Sequence, residues 1–190
     1  MSPYPMDDSA LQRESRRVAL GRRLVSHGLR TTVISRLTGL TRNQLETLRH
    51  RLGVPSQTRR RGPTPTSLEM FLKEPIARCE GAALAALCAA FELPALEREL
   101  ASFPASYISF EYAERLCETY EAFRACYPTT HVELDEMMML REALTQGDRV
   151  LLGQCRSCKC VMLIDRFNGV RNCWHCDPAA YVEKTRRKAS

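Results

Sequence analysis

Apolar residues recur at intervals of three and four over most of the first 150 positions of the chain. This spacing places apolar side chains on one face of an α-helix. It predicts a first helix that begins at Asp7 or Ser9 and ends at Gly28. The apolar positions of that helix are Leu11, Val18, Leu20, Leu24 and Val25. Arginines occupy its other faces. We therefore expect its apolar face to pack on the next helices or on a partner.

Helical spacing returns after residue 67 and continues as far as Gly147. The predicted helices cover residues 68–72, 75–91, 94–100, 110–123 and 134–144. Alanines are dense between residues 82 and 90, where neighbouring helices could approach closely. We therefore expect a mainly α protein with a helical domain at its centre.

Residues 31–52 carry two short helical patterns that a glycine separates. Gly39 ends the first pattern. Thr41 and Gln44 match a capping box, in which two side chains bond backbone N–H groups at the start of a helix. The inward-facing positions are Val33, Ile34, Leu37, Leu45, Leu48 and Leu52. Together these features predict an N-terminal helix-turn-helix-like unit.

The second helix of this unit is predicted to expose Arg42, Asn43 and Arg49. The first two lie near its N-terminus, where helix-turn-helix proteins contact base edges in the major groove. These three residues are therefore candidate DNA contacts. An αα-hairpin inside a helical bundle would show the same leucines, so this stretch alone leaves both interpretations open.

Four cysteines near the C-terminus have the spacing of a double zinc knuckle. Two residues separate Cys155 from Cys158 and Cys173 from Cys176, and fourteen residues separate the pairs. Four thiolates complete the closed tetrahedral shell of a structural zinc ion, which leaves no open position for catalysis. We therefore predict one structural Zn²⁺ per chain.

The segment between the two cysteine pairs is predicted to form a β-hairpin. Residues 159–164 are a short apolar run of the kind found in strands. Asn168 and Gly169 tolerate the positive φ of a type I′ turn, after which residues 170–172 would return to the second pair. Cys160 and His175 could substitute in the metal shell, but Cys160 lies beside a knuckle rather than in one.

The remaining cysteines indicate a reduced protein. The chain has nine cysteines, an odd number, and no N-terminal apolar run that resembles a signal peptide. Cys79, Cys88, Cys117 and Cys126 lie in helical sequence, in two pairs nine residues apart, which suits core residues better than metal ligands. We expect a reduced, cytoplasmic protein that does not associate with a membrane, since no apolar stretch is long enough to cross one.

The net charge of +6 is distributed unevenly, with basic regions at both ends of the chain and an acidic region between them. Residues 1–62 hold thirteen basic and four acidic side chains, whereas residues 63–147 hold six and fourteen. Residues 148–190 are basic again, with nine and four. A requirement for solubility alone would give mixed signs rather than blocks, so the basic ends favour binding to a polyanion such as nucleic acid.

Basic side chains of the two ends are candidate phosphate or minor-groove contacts. Three lie in a proline-containing loop after the helix-turn-helix-like unit, and others lie on the zinc hairpin. They are Arg59, Arg60, Arg61, Arg156, Lys159, Arg166 and Arg171. The basic tail adds Lys184, Arg186, Arg187 and Lys188.

Charge and motifs together divide the chain into four regions. These are a basic helical region with the helix-turn-helix-like unit (1–62), an acidic helical core and partner-binding region (63–147), the zinc-binding hairpin (148–178) and a basic tail (179–190). The four histidines are scattered, and the sequence has no nucleophile motif or glycine-rich phosphate loop. We therefore expect a protein that is not an enzyme.

The order of these parts resembles the C subunit of the bacterial flagellar master transcriptional activator. The resemblance covers most of the chain, including the basic loop at 59–65 that leads into residues 67–71, and the last helix that leads into residues 150–155. The zinc ligands of that family fall on Cys155, Cys158, Cys173 and Cys176, with a slightly shorter segment between the pairs.

This resemblance implies a mostly helical protein that joins smaller, all-helical D subunits in a heterohexamer of four D and two C chains. It also implies binding to promoter DNA upstream of flagellar operons and activation of RNA polymerase there. The residues alone leave two other classes open, namely a zinc-stabilised protein-interaction adaptor and an RNA-binding regulator. The salt dependence of binding to duplex DNA and to single-stranded RNA distinguishes the DNA-binding activator from these two classes.

Overall fold

The computed structural model describes residues 6–54, 67–95 and 110–181, with the backbone alone for residues 6–10. Within this part the chain is mainly helical, as predicted. The helices are α1 (Met6–Ser26), α2 (Thr31–Thr38), α3 (Arg42–Arg51), α4 (Glu69–Leu72), α5 (Pro75–Ala90), α6 (Phe110–Cys126) and α7 (Leu134–Gln146). The strands are β1 (Val150–Gln154) and β2 (Val161–Asp165). None of the helices described is both long enough and apolar enough to cross a bilayer.

Helices α1, α2 and α3 form a three-helix unit whose turns follow from short-range signals. Gly39 ends α2 with a φ of 67°, in the left-handed region that favours glycine. Thr41 then caps α3, because its hydroxyl accepts from the Gln44 N–H and the Gln44 side chain accepts from the Thr41 N–H. Leu40, between the two signals, is buried. The predicted glycine break and capping box are confirmed.

Helix α1 crosses this turn at Gly21. A Cβ atom at position 21 would lie 2.3 Å from Cδ1 of Leu40, so glycine allows the close approach. The hydrophobic core of the unit begins near Val18 and Leu20. Leu11 lies before that point and is 66% exposed, so the prediction that Leu11 belongs to the apolar face of α1 is wrong.

Arg17 of α1 satisfies the carbonyl groups at the end of α2. Its Nε donates to the carbonyl oxygen of Thr38 at 2.8 Å, and its Nη2 donates to the carbonyl oxygen of Gly39. The last carbonyls of a helix lack partners within the helix and carry partial negative charge. A guanidinium at this place therefore stabilises the turn between α2 and α3.

A hydrophobic core joins the three-helix unit to the acidic helices and to the sheet. It extends from Leu24 of α1 through Phe71 of α4, Leu84 of α5 and Phe123 of α6 to Leu163 of β2. All five side chains are almost completely buried. The basic N-terminal helices, the acidic middle and the cysteine-containing hairpin are therefore packed against one another.

Ion pairs also connect the basic α1 to the acidic α6. The Nη2 atom of Arg16 lies 2.5 Å from Oε2 of Glu114, and the Nη2 atom of Arg23 lies 2.5 Å from Oε2 of Glu121. His27 makes a further contact with Glu121, at 2.7 Å. The two arginines are seven positions apart, about two helical turns, and so are the two glutamates. Both pairs therefore lie along one line between two helices that run in the same direction.

Strands β1 and β2 form an antiparallel ladder that runs from Val150↔Asp165 to Gln154↔Val161. The first cysteine pair lies in the connection between them. The prediction that the β2 strand pairs with residues 170–172 is therefore wrong. The apolar β1 provides a partner that also belongs to the hydrophobic core, through the buried Val150.

The turn at Asn168 and Gly169 also differs from its prediction. Gly169 has a φ of 64°, but Asn168 does not have a positive φ, so the pair does not form a type I′ turn. The Asn168 side chain and backbone instead bond to Asp165, which closes a local turn after β2. The Asn168–Gly169 sequence therefore forms a local turn after β2 and not the turn of a β-hairpin.

The helical cysteines divide into two classes. Cys88 and Cys117 are buried in the core, and burial raises the pKa of each thiol to about 12. Cys79 and Cys126 are exposed, so the prediction that all four are core residues is wrong for these two. A nine-residue separation puts the members of each pair on opposite helix faces, and only one of those faces meets the core.

Candidate metal centre and nucleic-acid interface

Four cysteines meet at the end of the β1–β2 hairpin, in the part of the chain named here the metal module (residues 148–181). Cys155 directly follows β1, and Cys158 lies in the turn that leads to β2. Cys173 and Cys176 lie in a later turn that returns to the same place. The four sulfur atoms all lie within 4.8 Å of one another. The predicted grouping of the two pairs is confirmed.

Backbone hydrogen bonds shape the first knuckle. The Cys155 N–H donates to the Cys160 carbonyl at 2.9 Å, and the Lys159 N–H donates to the Cys155 carbonyl at 3.0 Å. Lys159 has a φ of 62°, in the left-handed region that few residues other than glycine adopt. This tight reversal brings the thiols of Cys155 and Cys158 to the same side of the turn.

The second knuckle repeats this arrangement and is tied to the first. The N–H groups of Cys176 and Asp177 both donate to the Cys173 carbonyl, at 3.0 Å. The Arg156 N–H donates to the Arg171 carbonyl at 3.1 Å, which joins the two knuckles through their backbones. The positions of all four thiols are therefore set by main-chain contacts.

The surroundings shift the pKa values of Cys155 and Cys176 in opposite directions. Backbone N–H groups, first that of Cys158 and then that of Cys173, lower the pKa of Cys155 to about 6. The Cys173 N–H lies 3.2 Å from the Cys155 sulfur. By contrast, the neighbouring Cys158 thiol raises the pKa of Cys176 to about 12. Four thiolates at this separation repel one another unless a cation compensates their charge.

The sulfur geometry fits a metal ion. Cys158 and Cys173 have their sulfur atoms 3.6 Å apart. In a tetrahedral site with metal–sulfur bonds of about 2.3 Å, the sulfur–sulfur separation is about 3.8 Å. A disulfide would require about 2.05 Å, and all nine cysteines are free. The group of four excludes Cys160 and His175. Cys155, Cys158, Cys173 and Cys176 could therefore hold a metal ion that prefers thiolate ligands.

Tyr181 attaches the second knuckle to α5. Its hydroxyl donates to the Asn172 carbonyl at 2.9 Å, and its ring meets Trp174 edge to face at a centroid distance of 5.5 Å. The Arg78 guanidinium lies over the same ring at 5.0 Å, while its Nε donates to the Leu72 carbonyl. This link is not visible in the sequence, because no local pattern marks a contact between α5 and the end of the metal module.

The first turn of α3 presents two of the three predicted groove contacts to solvent. Arg42 and Asn43 are exposed. Arg49 is only 6% exposed, and its guanidinium lies 3.5 Å from the Glu46 carboxylate. The prediction that α3 exposes Arg49 is wrong, because a residue four positions after Leu45 shares its inward face. The buried Arg49 side chain is therefore not a groove contact.

The other predicted contacts lie in two places. Arg59, Arg60, Arg61 and the basic tail fall outside the described residues. Arg156, Lys159, Arg166 and Arg171 are all exposed on the metal module. Lys159 donates to the Arg156 carbonyl and Arg166 to the Gly147 carbonyl. These acceptors are neutral, and within the described residues neither side chain forms an ion pair.

Part of the basic charge of residues 1–62 is neutralised within the protein. Arg16 and Arg23 pair with α6, and Arg30 donates to the buried Asp135 of α7 at 2.9 Å. The division of charge along the chain therefore has a partly internal explanation, which composition alone does not show. The described structure gives no ion pair or side-chain hydrogen bond to the exposed arginines Arg13, Arg22, Arg36, Arg42 and Arg51.

Comparison with known proteins gives no further assignment. No protein-family model matches the chain, and no curated protein matches it.

Proposed function

We propose that the chain is a DNA-binding subunit of a bacterial transcriptional activator. The observation that carries this proposal is the first turn of α3, where the exposed Arg42 and Asn43 follow a capped helix start in a three-helix unit. In helix-turn-helix proteins, residues at this position contact base edges in the major groove. Arginine can bond to O6 and N7 of guanine, and asparagine to N6 and N7 of adenine.

Exposed arginines of the same unit that have no partner among the described residues would contact phosphates. Arg36 lies in the last turn of α2 and Arg51 in the last turn of α3, and both are exposed. The exposed cations of the metal module, Arg156, Lys159, Arg166 and Arg171, would add further phosphate contacts. Such contacts position a protein on the duplex without specifying a sequence, and they make binding sensitive to salt.

The metal of the four-cysteine group is proposed to be zinc, with a structural role. A closed shell of four thiolates is typical of structural zinc, and it leaves no coordination position for water or substrate. When bound, zinc would supply positive charge that neutralises the crowded thiolates. The contribution of the chain is to hold the four sulfur atoms in place and to donate the Cys173 N–H to the Cys155 sulfur.

A protein partner is part of the proposal. The resemblance to the C subunit of the flagellar master activator supports a D-type partner, in a heterohexamer of four D and two C chains. It also supports promoters of flagellar operons as the target and RNA polymerase as the enzyme that is activated. The metal module carries exposed apolar side chains suited to a protein contact. They are Leu151, Leu152, Val161, Phe167 and Trp174.

The test is a comparison of two arginine variants in the full-length chain, co-expressed with a D-type partner. A preferred duplex is first selected from a random library, and affinity for it and for a scrambled duplex is measured over a salt series. We expect Arg42→Ala to cost about 1–3 kcal/mol on the preferred duplex and to relax base preference at one position. We expect Arg51→Ala to weaken both duplexes and to reduce the salt slope by about one.

Equal weakening of both duplexes by Arg42→Ala would mean that α3 is not a recognition helix. The αα-hairpin interpretation would then hold for residues 31–52. Binding to single-stranded RNA in preference to duplex DNA would favour the RNA-binding regulator instead. Absence of binding to either nucleic acid, with a stable protein complex, would favour the interaction adaptor.

A further inference from the structure

An open groove of about 660 Å³ lies between the start of α5, the turn before α7 and the second knuckle. It is named here the α5 groove. Its apolar lining includes Met70, Ile76, Val132 and Trp174. Ile76 is 75% exposed and Trp174 is 38% exposed, so two large apolar side chains face solvent in the same depression. Such a depression is typical of a surface that another molecule covers.

Two carboxylates, those of Glu74 and Glu80, also line the α5 groove. Glu80 accepts a hydrogen bond from the Thr130 hydroxyl at 3.1 Å. In the part of the chain that the structure describes, neither carboxylate pairs with a lysine or an arginine. Arg78, which lies between them in sequence, is directed to Tyr181 and to the Leu72 carbonyl. The groove is therefore largely apolar and carries two carboxylates, with the imidazole of His131 as its other ionisable lining group.

We propose that the α5 groove binds a segment of a partner protein in which lysine or arginine stands next to apolar side chains. The carboxylates of Glu74 and Glu80 would attract the cationic group, and the indole of Trp174 can add a cation–π contact. Ile76 and Met70 would be covered by the apolar side chains of the segment. The same carboxylates would repel an acidic segment, so charge complementarity selects the partner.

The α5 groove is coupled to the metal centre through Trp174, which lines the groove. Trp174 lies between Cys173 and Cys176, so the position of the indole depends on the second knuckle. Metal loading and partner binding should therefore each strengthen the other. The proposal does not depend on DNA binding, because neither the α3 surface nor its arginines take part in it.

Trp174 is the only tryptophan of the chain, and it provides a direct signal for binding. The probes are a synthetic twelve-residue peptide of lysine and leucine at helical spacing, and the same peptide with glutamate in place of lysine. The protein is the full-length, zinc-loaded chain. We expect the lysine peptide to shift Trp174 emission with a saturable titration curve, and the glutamate peptide to leave it unchanged.

Variants connect the signal to the α5 groove. The double variant Glu74→Gln, Glu80→Gln should weaken binding of the lysine peptide about fivefold to tenfold, as expected for two partly exposed ion pairs. The matched control Glu111→Gln, Glu118→Gln removes two exposed carboxylates of α6 and should leave the affinity unchanged. Ile76→Ser should also weaken binding, whereas Leu11→Ser, at another exposed apolar residue, should not.

Circular dichroism and metal content are measured for every variant, so that a loss of fold is not taken for a loss of binding. Equal binding of the two peptides would overturn the proposal, as would unchanged affinity of the Glu74→Gln, Glu80→Gln variant. If n-butylammonium competes as strongly as the lysine peptide, the groove is a small-cation site and the proposal is wrong.

Discussion

Gly81 of α5 and Leu163 of β2 approach so closely that a Cβ atom at position 81 would lie 2.7 Å from Cδ1 of Leu163. The same atom would lie 2.9 Å from Cδ1 of Phe71. Both neighbours are buried in the hydrophobic core, so they have little space into which to move. A glycine therefore sets the distance between α5 and the strand that leads out of the first knuckle.

Substitution at this contact should loosen the metal module. We expect Gly81→Val to lower the free energy of unfolding by about 1–3 kcal/mol, because overpacking forces shifts in side chains or backbone. Metal should also be lost at a lower chelator concentration than from the wild type. Urea unfolding and a chelator titration measure the two effects. The control is Ala89→Val, at an exposed position of the same helix, which should cost about 0.5 kcal/mol through helix propensity. Equal effects of the two substitutions would contradict the role of the close contact.

Metal binding should require the four cysteines of the group and no others. We expect Cys155→Ser, Cys158→Ser, Cys173→Ser and Cys176→Ser each to lower zinc content and solubility, because metal binding is coupled to folding in small zinc modules. Cys79→Ser and Cys160→Ser serve as controls and should retain the metal. Elemental analysis of purified protein is the measurement. Wild-type protein without zinc or another metal would contradict the assignment.

Arg17 should stabilise the three-helix unit rather than contact nucleic acid. We expect Arg17→Ala to lower the free energy of unfolding by about 1–2 kcal/mol, because the carbonyls of Thr38 and Gly39 lose a charged donor. Arg13→Ala, at an exposed position of the same helix without a partner in the described structure, should have almost no effect. Thermal and urea unfolding test the difference. If both variants unfold alike, the guanidinium does not support the turn.

The ion pair between Arg23 of α1 and Glu121 of α6 should make the free energy of unfolding depend on pH in the acid range. The Arg23 guanidinium holds the pKa of Glu121 at about 2, against an ordinary value of 4.5. Because the pKa is lowered on folding, the stabilisation is present above about pH 4.5 and is lost as the pH falls toward 2. The Glu121 side chain is 41% exposed, so solvent screening should limit the effect to about 1 kcal/mol or less.

Glu121→Gln tests this dependence. The variant should be less stable than the wild type at pH 7, and the difference should shrink by pH 3. Glu118→Gln, at an exposed position of the same helix, serves as the control and should show a smaller difference at pH 7. A difference for Glu121→Gln that stays constant between the two pH values would exclude the ion pair as its cause.

Local signals explain which features could be predicted from the sequence. The end of α2 at Gly39 and the start of α3 at Thr41 depend on residues within a few positions of each other, so their interactions are visible in the sequence. The same holds for the two cysteine pairs, whose internal spacing is two residues. The pairing of β2 depended instead on whether the segment before it or the segment after it shares the hydrophobic core, and local spacing does not decide between them.

Charge was harder to interpret than apolar spacing. The basic charge of residues 1–62 was expected to favour binding to a polyanion, yet Arg16 and Arg23 of α1 pair with glutamates of α6. Arginine is a residue type that commonly contacts bases, but the position of Arg49 on α3 directs its side chain inward. A charge can be satisfied by any partner that folding brings near, so a count of charges does not identify the surface that remains free.

The ion pairs between α1 and α6 also affect how the chain folds during its synthesis. Arg16 and Glu114 are 98 residues apart in the sequence, and so are Arg23 and Glu121. At about 5–20 residues per second, the ribosome needs roughly 5–20 s to make the segment between them. During that time α1, with its arginines, exists without the acidic helix that neutralises two of them. The nascent N-terminal unit therefore carries more unpaired positive charge than the same unit does in the finished protein.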